Sequence, residues 1–329
     1  MIYLLMSKVK FNNLEFPFCL YNASGCWCYS EEELTDLHNS NAGAVICKSC
    51  TIQEREGNEK PRYYENQFGT INSMGLPNKG IKYYIDLINK FEDKPYIFSI
   101  AGMSVDENLN IIKIISENVK KPTMIEINLS CPNIKGKPQI GYDFEEFESY
   151  LRILETLDTH LLIMGLKLPP YFDPLHFQIV SNIIKKYPKV KFITCINSLG
   201  NGLIIDVETE SSVIRPKNGI GGIGGLYCKP IALSNVYQFH RLLGDSVKII
   251  GCGGVTSGAD VFEHILAGAT LVQVGSQLMK EGPSCFSRIK NELEEIMKKK
   301  GYNTLDDFRG KLNQTKKLKN NFTNIEYLY

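Results

Sequence analysis

The feature that most limits what this chain can fold into is a repeated alternation between two hydrophobic periods. Eight short apolar runs recur, at residues 16–21, 44–48, 96–101, 124–128, 161–168, 191–197, 247–251 and 270–275. Most are continuous and not alternating, which suits strands covered on both faces, as in a parallel sheet. Between them the period lengthens to that of an amphipathic helix. Ser30 followed by Glu33 reads as a capping box, and Asn78 opens the amphipathic run 81–91. Residues 104–119, 143–157, 174–187, 231–243, 257–267 and 283–299 complete the helical set. Eight strands each followed by a helix, with no compositional break between halves, predict an α/β fold, the (β/α)8 TIM barrel. A doubly wound open sheet is the alternative.

At 329 residues the chain is long enough for one such barrel with insertions. Two connections exceed what a barrel needs, residues 129–142 after strand 4 and 198–229 after strand 6. Both leave the C-terminal ends of strands, where barrels build active sites, so both are candidate lids. The expected organisation is a single domain, 1–313, with a short C-terminal tail, 314–329, rich in Lys and Asn. Thirty-seven basic residues against 36 acidic ones leave a net charge of +1, which removes the electrostatic case for a nucleic-acid or membrane-surface partner. The apolar run 2–6 is too short for a signal-peptide core or a membrane span. A soluble, cytoplasmic protein with reduced thiols is expected. Its ten cysteines leave open whether any of them is a working thiol.

Glycines mark the strand ends. Gly221-Gly222-Ile223-Gly224-Gly225 ends the second insertion, Gly251-Cys252-Gly253-Gly254 closes the seventh strand and Gly275-Ser276 closes the eighth. Gly-rich turns let backbone N–H groups converge on an anion, and the loops after barrel strands seven and eight commonly hold a phosphate. The Walker pattern and a GxGxxG after the first strand are absent, which argues against NTP hydrolysis and a dinucleotide fold. Lys48 and Lys167 lie at or near the ends of the second and fifth strands. An ammonium there is costly unless it meets an anion at the barrel mouth or reaches solvent. Cys47 and Cys50 have a metal or redox spacing but no second pair, so no metal is expected.

Three amide-rich segments approach or follow strand ends: Asn72-Ser73-Met74-Gly75-Leu76-Pro77-Asn78, Asn128-Leu129-Ser130-Cys131-Pro132-Asn133, and Ile196-Asn197-Ser198. Converging amides can read an uncharged heterocycle with alternating C=O and N–H groups. Cys131 stands inside the second segment, at the head of a candidate lid, where a nearby cation could make its thiol a usable base. The five histidines fall in helices or their flanks and receive no catalytic role.

These segments, with Lys48-Ser49, Arg55-Glu56-Gly57-Asn58, Pro61-Arg62, Pro169-Pro170-Tyr171-Phe172, Gly200-Asn201-Gly202 and Asp307-Phe308-Arg309-Gly310, resemble dihydroorotate dehydrogenase from about residue 8 to 312. The likeness is to class 1A, the soluble fumarate-dependent homodimers. What it implies is FMN at the barrel mouth, oxidation of dihydroorotate to orotate in pyrimidine synthesis, and fumarate reduced to succinate. By that resemblance Cys131 is the general base. Asn72, Asn128, Asn133, Asn197 and Ser198 would bind the pyrimidine, with Met74, Gly75 and Leu76 near its carboxylate. Lys48 would serve both flavin and substrate, and Lys167 would sit by the flavin ring and favour its reduced, anionic form. Ala23, Ser24, Gly25 and Ser49 would line the ring, with Asn128 and Ile196 also on the flavin. Gly225, Cys252, Gly253, Gly254, Gly275 and Ser276 would hold the ribityl phosphate.

The subclass follows from the cysteine at the base position and from Ser73–Pro77, which the partner-dependent class 1B usually lacks. Membrane-associated relatives use a serine base and carry an N-terminal helical extension. Two positions depart from the pattern: Ser276 stands where Thr is usual, and Glu59 where Pro is common. The competing readings are a flavin barrel reducing another pyrimidine such as uracil, and a catalytically silent scaffold. The scaffold would have no use for Lys48, Cys131 and Lys167.

Overall fold

Strands and helices form where the two periods place them. The computed structural model describes residues 7–88, 90–91, 93–130 and 139–313. Eight parallel strands make one sheet: β1 (Leu20–Asn22), β2 (Val45–Ile46), β3 (Tyr96–Ile100), β4 (Thr123–Asn128), β5 (Leu162–Leu168), β6 (Val190–Cys195), β7 (Lys248–Cys252) and β8 (Leu271–Val274). Their order is β1-β8-β7-β6-β5-β4-β3-β2, which is the order of a barrel. Every residue of β3, β5 and β8 is buried, as continuous apolar runs require.

Helices wrap the outside: α1 (Glu31–Asn39), α2 (Ile81–Ile88), α3 (Val105–Asn118), α4 (Phe144–Thr156), α5 (Pro174–Lys185), α6 (Lys229–Leu243), α7 (Gly258–Ala267), α8 (Ser276–Glu281) and α9 (Cys285–Lys300). Ser30 caps α1 by accepting from the Glu33 N–H, and Glu33 reaches back to the Tyr29 N–H. Asn78 does not cap α2. Its side chain instead ties Thr51 and Gly80 together, and the helix starts at Ile81. The motif Asp307-Phe308-Arg309-Gly310 clamps the chain's end onto α7. The Phe308 ring stacks on Phe262 at 4.4 Å, and the Gly310 N–H donates to the Ile265 carbonyl.

The first apolar run divides. Its start belongs to a hairpin, Val9–Phe11 with Leu14–Phe16, and its end to β1. Phe11 closes the lower end of the barrel by meeting Phe192 of β6 edge-on at 6.0 Å. Between β1 and β2 no backbone ladder forms. The buried Asn22 side chain takes its place, donating to the Ile46 carbonyl at 2.8 Å and accepting from the Ile46 N–H at 3.0 Å. The Gly43 N–H adds a bond to the Leu20 carbonyl.

The sequence counts two insertions; the structure has a third, between β2 and α2. Its strands Tyr63–Asn66 and Gly69–Asn72 join Leu199–Gly202 and Gly221–Gly225, from the insertion after β6, in one antiparallel sheet. This four-stranded sheet stands over the C-terminal mouth of the barrel. Of the insertion after β4, residues 131–138 lie outside the described residues, as does the tail, 314–329.

Candidate active site

Between the mouth and the added sheet lies a cavity of about 1610 Å³. It takes side chains from strand ends and loops on every side. From the first two strand ends come Ala23, Ser24, Gly25, Lys48 and Ser49; from the third insertion, Asn72, Met74, Gly75 and Leu76. Asn128, Lys167, Ile196, Asn197 and Ser198 come from the ends of β4, β5 and β6. Gly225, Cys252, Gly253, Gly254, Gly275 and Ser276 close the far side. Thus every expected site residue among the described ones faces one space. Cys131 and Asn133 lie outside the described residues.

The amides meet as the strand ends predict. The Asn128 side-chain oxygen accepts from Asn197 at 3.1 Å and from the Ser130 N–H at 3.1 Å. Asn72 donates to the Gly222 carbonyl across the added sheet. The loop of Arg55, Asn58 and Arg62 braces the amide-rich segment 72–78 that follows it. Asn58 donates to the Ser73 carbonyl, and the Arg62 guanidinium bonds the Glu56 and Asn58 carbonyls.

Two buried lysines face the cavity, in opposite electrostatic conditions. The Lys48 ammonium, with the residue 7% exposed, donates to the Gly25 carbonyl at 2.8 Å and forms no salt bridge among the described residues. A desolvated cation held by a single carbonyl favours an anionic ligand. Lys167 has its own counter-charge, Glu126 at 3.9 Å, and donates to Gln273 Oε1 at 2.9 Å. Burial pulls its ammonium down, but the neighbouring groups outweigh that and hold it above its ordinary range.

The glycine-rich side is a backbone cradle. Gly254 sits at φ +72°, and a Cβ there would lie 2.3–3.0 Å from Lys229, so only glycine lets the chain turn so close to the start of α6. Lys229 is fixed in turn by Asp260 at 2.5 Å and Glu263 at 2.6 Å. Asp260 also accepts from the Thr256 and Ser257 backbone N–H groups, closing a capping box on α7. Burial pushes the Asp260 carboxyl up, yet these donors win and hold it below its usual range. Buried His264 bonds the Gly253 carbonyl from behind at 3.1 Å. On the cavity side, Ser276 opens α8 and lies 3.3 Å from the Thr70 hydroxyl.

A cradle of this kind, a buried cation with no counter-charge among the described residues, and room for a nucleotide-sized ligand beside a small one fit a phosphate-bearing ligand next to a small anion. Burial pushes the thiols of Cys26 and Cys228 up to about 11, and that of Cys252 up as well, so these three stay protonated at neutral pH.

Arg55, Arg62, Lys217 and Gln273 also line the cavity, and Glu126 lies beneath it, without a role legible from sequence. The arginines stood in motifs noted for resemblance only. Gln273 and Glu126 were visible as polar residues inside apolar runs.

Comparison with known proteins agrees with this architecture. The model of the dihydroorotate dehydrogenase family matches residues 6–297. The chain is 51% identical over 312 residues to the dihydroorotate dehydrogenase A (fumarate) of Lactococcus lactis, covering 93% of this chain and 99% of that one. It is 50% identical over 318 residues to the dihydroorotate dehydrogenase (fumarate) of Saccharomyces cerevisiae, covering 94% and 98%. A crystal structure of DHODH in complex with ferulenol, from Eimeria tenella, shares the fold at a TM-score of 0.77 and 20% identity, over 94% of this chain and 88% of that one. With the family model matching residues 6–297 and half its residues identical to such relatives over more than nine tenths of its length, the chain belongs to the dihydroorotate dehydrogenase family.

Proposed function

We propose that this protein oxidises (S)-dihydroorotate to orotate, with FMN as hydride acceptor and fumarate as re-oxidant. The observation that carries the reading is the convergence of Asn72, Asn128, Asn197 and Ser198 with the unpaired Lys48 ammonium on one cavity. The amides match a ring of alternating C=O and N–H groups, and the ammonium matches a carboxylate. Met74, Gly75 and Leu76 offer backbone groups to the same carboxylate, and Asn133 joins the amides. Bound FMN would supply the two-electron acceptor for the C6 hydride of the substrate, and the same two electrons with two protons would reduce fumarate to succinate. Cys131 takes the C5 proton, so that the C5–C6 double bond forms as proton and hydride leave.

Ala23, Ser24, Gly25, Ser49, Asn128, Lys167 and Ile196 hold the flavin ring. Gly225, Cys252, Gly253, Gly254, Gly275 and Ser276 hold its phosphate. The protein works as a cytoplasmic homodimer of one-domain barrels, spanning 1–313, each with a tail at 314–329. No helix among the described residues is long and apolar enough to cross a membrane.

The test is colour. The purified protein should be yellow, bleach under dihydroorotate without air, and regain its colour with fumarate. Failure to bleach overturns the substrate, and bleaching without recovery overturns the acceptor. Cys131→Ala should keep the flavin and slow its reduction by about 10²–10⁴-fold, the range for loss of a placed base. Stopped-flow absorbance reads that rate, and an unchanged rate removes Cys131 from the base position.

A further inference from the structure

Beneath the cavity floor lies a closed layer of polar side chains drawn from six strands. Glu126 of β4 points into the barrel with no exposed surface. Its Oε2 accepts from the Thr194 hydroxyl of β6 at 2.7 Å and from Gln273 Nε2 of β8 at 2.7 Å. The same Nε2 lies 3.1 Å from the Tyr21 hydroxyl of β1. Gln273 Oε1 accepts from the Lys167 ammonium of β5 at 2.9 Å, and that ammonium is 3.8 Å from the Cys252 sulfur of β7. Glu126 Oε1 has no hydrogen-bond partner among the described residues and stands 3.9 Å from the same ammonium.

Only Lys167, Cys252 and Gln273 of the six reach the cavity surface. The amide of Gln273 therefore links two charges that belong to different places. Its oxygen holds the lysine that faces the ligand, and its nitrogen holds the carboxylate below. The orientation is forced, because a flipped amide would set an oxygen against the carboxylate and an N–H against the ammonium. Burial pushes the Cys252 thiol and the Tyr21 phenol up, so both are neutral at neutral pH. Glu126 is then the sole anion balancing Lys167 among the described residues. A buried carboxylate with one bare oxygen is a poor way to fill a barrel, since apolar residues of similar volume are commonly as stable. Its position behind the ligand-facing lysine accounts for its presence.

We propose that Glu126 is a positioning residue that acts through Gln273: it fixes the Lys167 ammonium at the cavity floor and sets how much positive charge the bound flavin meets. This rests on the reading above that Lys167 lies beside the flavin ring. A flavin gains negative charge on reduction, and also when sulfite adds to it. Removing the carboxylate leaves Lys167 uncompensated and favours both states. The Glu126→Gln holoenzyme should bind sulfite on the order of tenfold more tightly. Its reduction equilibrium should move in the same direction, and a tenfold shift for a two-electron couple is about 30 mV upward.

The experiment is sulfite titration with dye-equilibrated reductive titration of the purified wild-type and Glu126→Gln proteins. Neither readout needs dihydroorotate or fumarate. Thr194→Val removes one donor from the carboxylate without touching the cavity; it leaves that negative charge less shielded and should shift both readouts the opposite way by a smaller factor. It carries the test if Glu126→Gln does not accumulate. A yellow variant with unmoved sulfite affinity and potential overturns the inference and leaves the proposed reaction standing. A wild-type protein without flavin overturns both, and a yellow wild type that ignores dihydroorotate overturns only the reaction.

Discussion

Lys48 and Lys167 are both buried at strand ends, and what separates them is the company each keeps. Lys167 has Glu126 and Gln273; Lys48 has one carbonyl. Lys48→Met should therefore raise the unfolding free energy of the ligand-free protein by about 1–3 kcal/mol, because an uncompensated buried charge is removed. It should also weaken dihydroorotate binding on the order of tenfold, since a charge-assisted bond is lost. Denaturant unfolding and titration of flavin bleaching read the two effects separately. His264 is a second residue with a defined cost. Burial holds its pKa down at about 4 against 6.5 for a free histidine. The unfolded chain binds a proton that the folded chain refuses, so this stability is complete above pH 6.5 and is lost as pH falls toward 4. The loss amounts to about 3 kcal/mol at most. Denaturant midpoints measured across that interval should fall on acidification in the wild type and stay flatter in His264→Gln. Lys48 and the amides were legible in the sequence because the end of an apolar run becomes an address at the barrel mouth. Glu126 and Gln273 were not, because a polar residue inside a run has no partner until distant strands wrap around it.

At the level of elements, the helical period and the buried runs located α3 to α7 and β3 to β8 to within a few residues. The first strand was harder, because its apolar run serves two elements, the hairpin below and β1 above. Nor could a pattern of periods show that a side chain would join β1 to β2. That joint is open to a direct test. Asn22→Leu leaves the Ile46 N–H and carbonyl without their partners at a buried edge. The expected loss is about 2–4 kcal/mol, from two unsatisfied backbone groups. A lower denaturant midpoint with an unchanged slope would show it, and an unchanged midpoint would remove Asn22 from the joint.

On the scale of the whole molecule, the barrel was legible and the sheet above it was not. Its four strands are short, and residues 69–72 pair with 222–225 across a separation no local pattern reports. Backbones meet closely there: a Cβ on Gly69 would stand 2.1 Å from the Gly224 carbonyl oxygen. Gly69→Ala should therefore pry the added sheet open and leave the barrel intact. The expected result is faster flavin loss on gel filtration and faster proteolysis near residues 205–212, with thermal unfolding of the barrel little changed. The cylinder itself has a further consequence, in time and not in space. Leu20 of β1 pairs with Val272 of β8, about 250 residues later in the chain. The first barrel strand thus waits for the eighth, and the pocket between them does not exist until β8 has been made. A flavin can therefore be taken up only once almost the whole barrel has been made, so its supply acts late in the life of the new chain and not early.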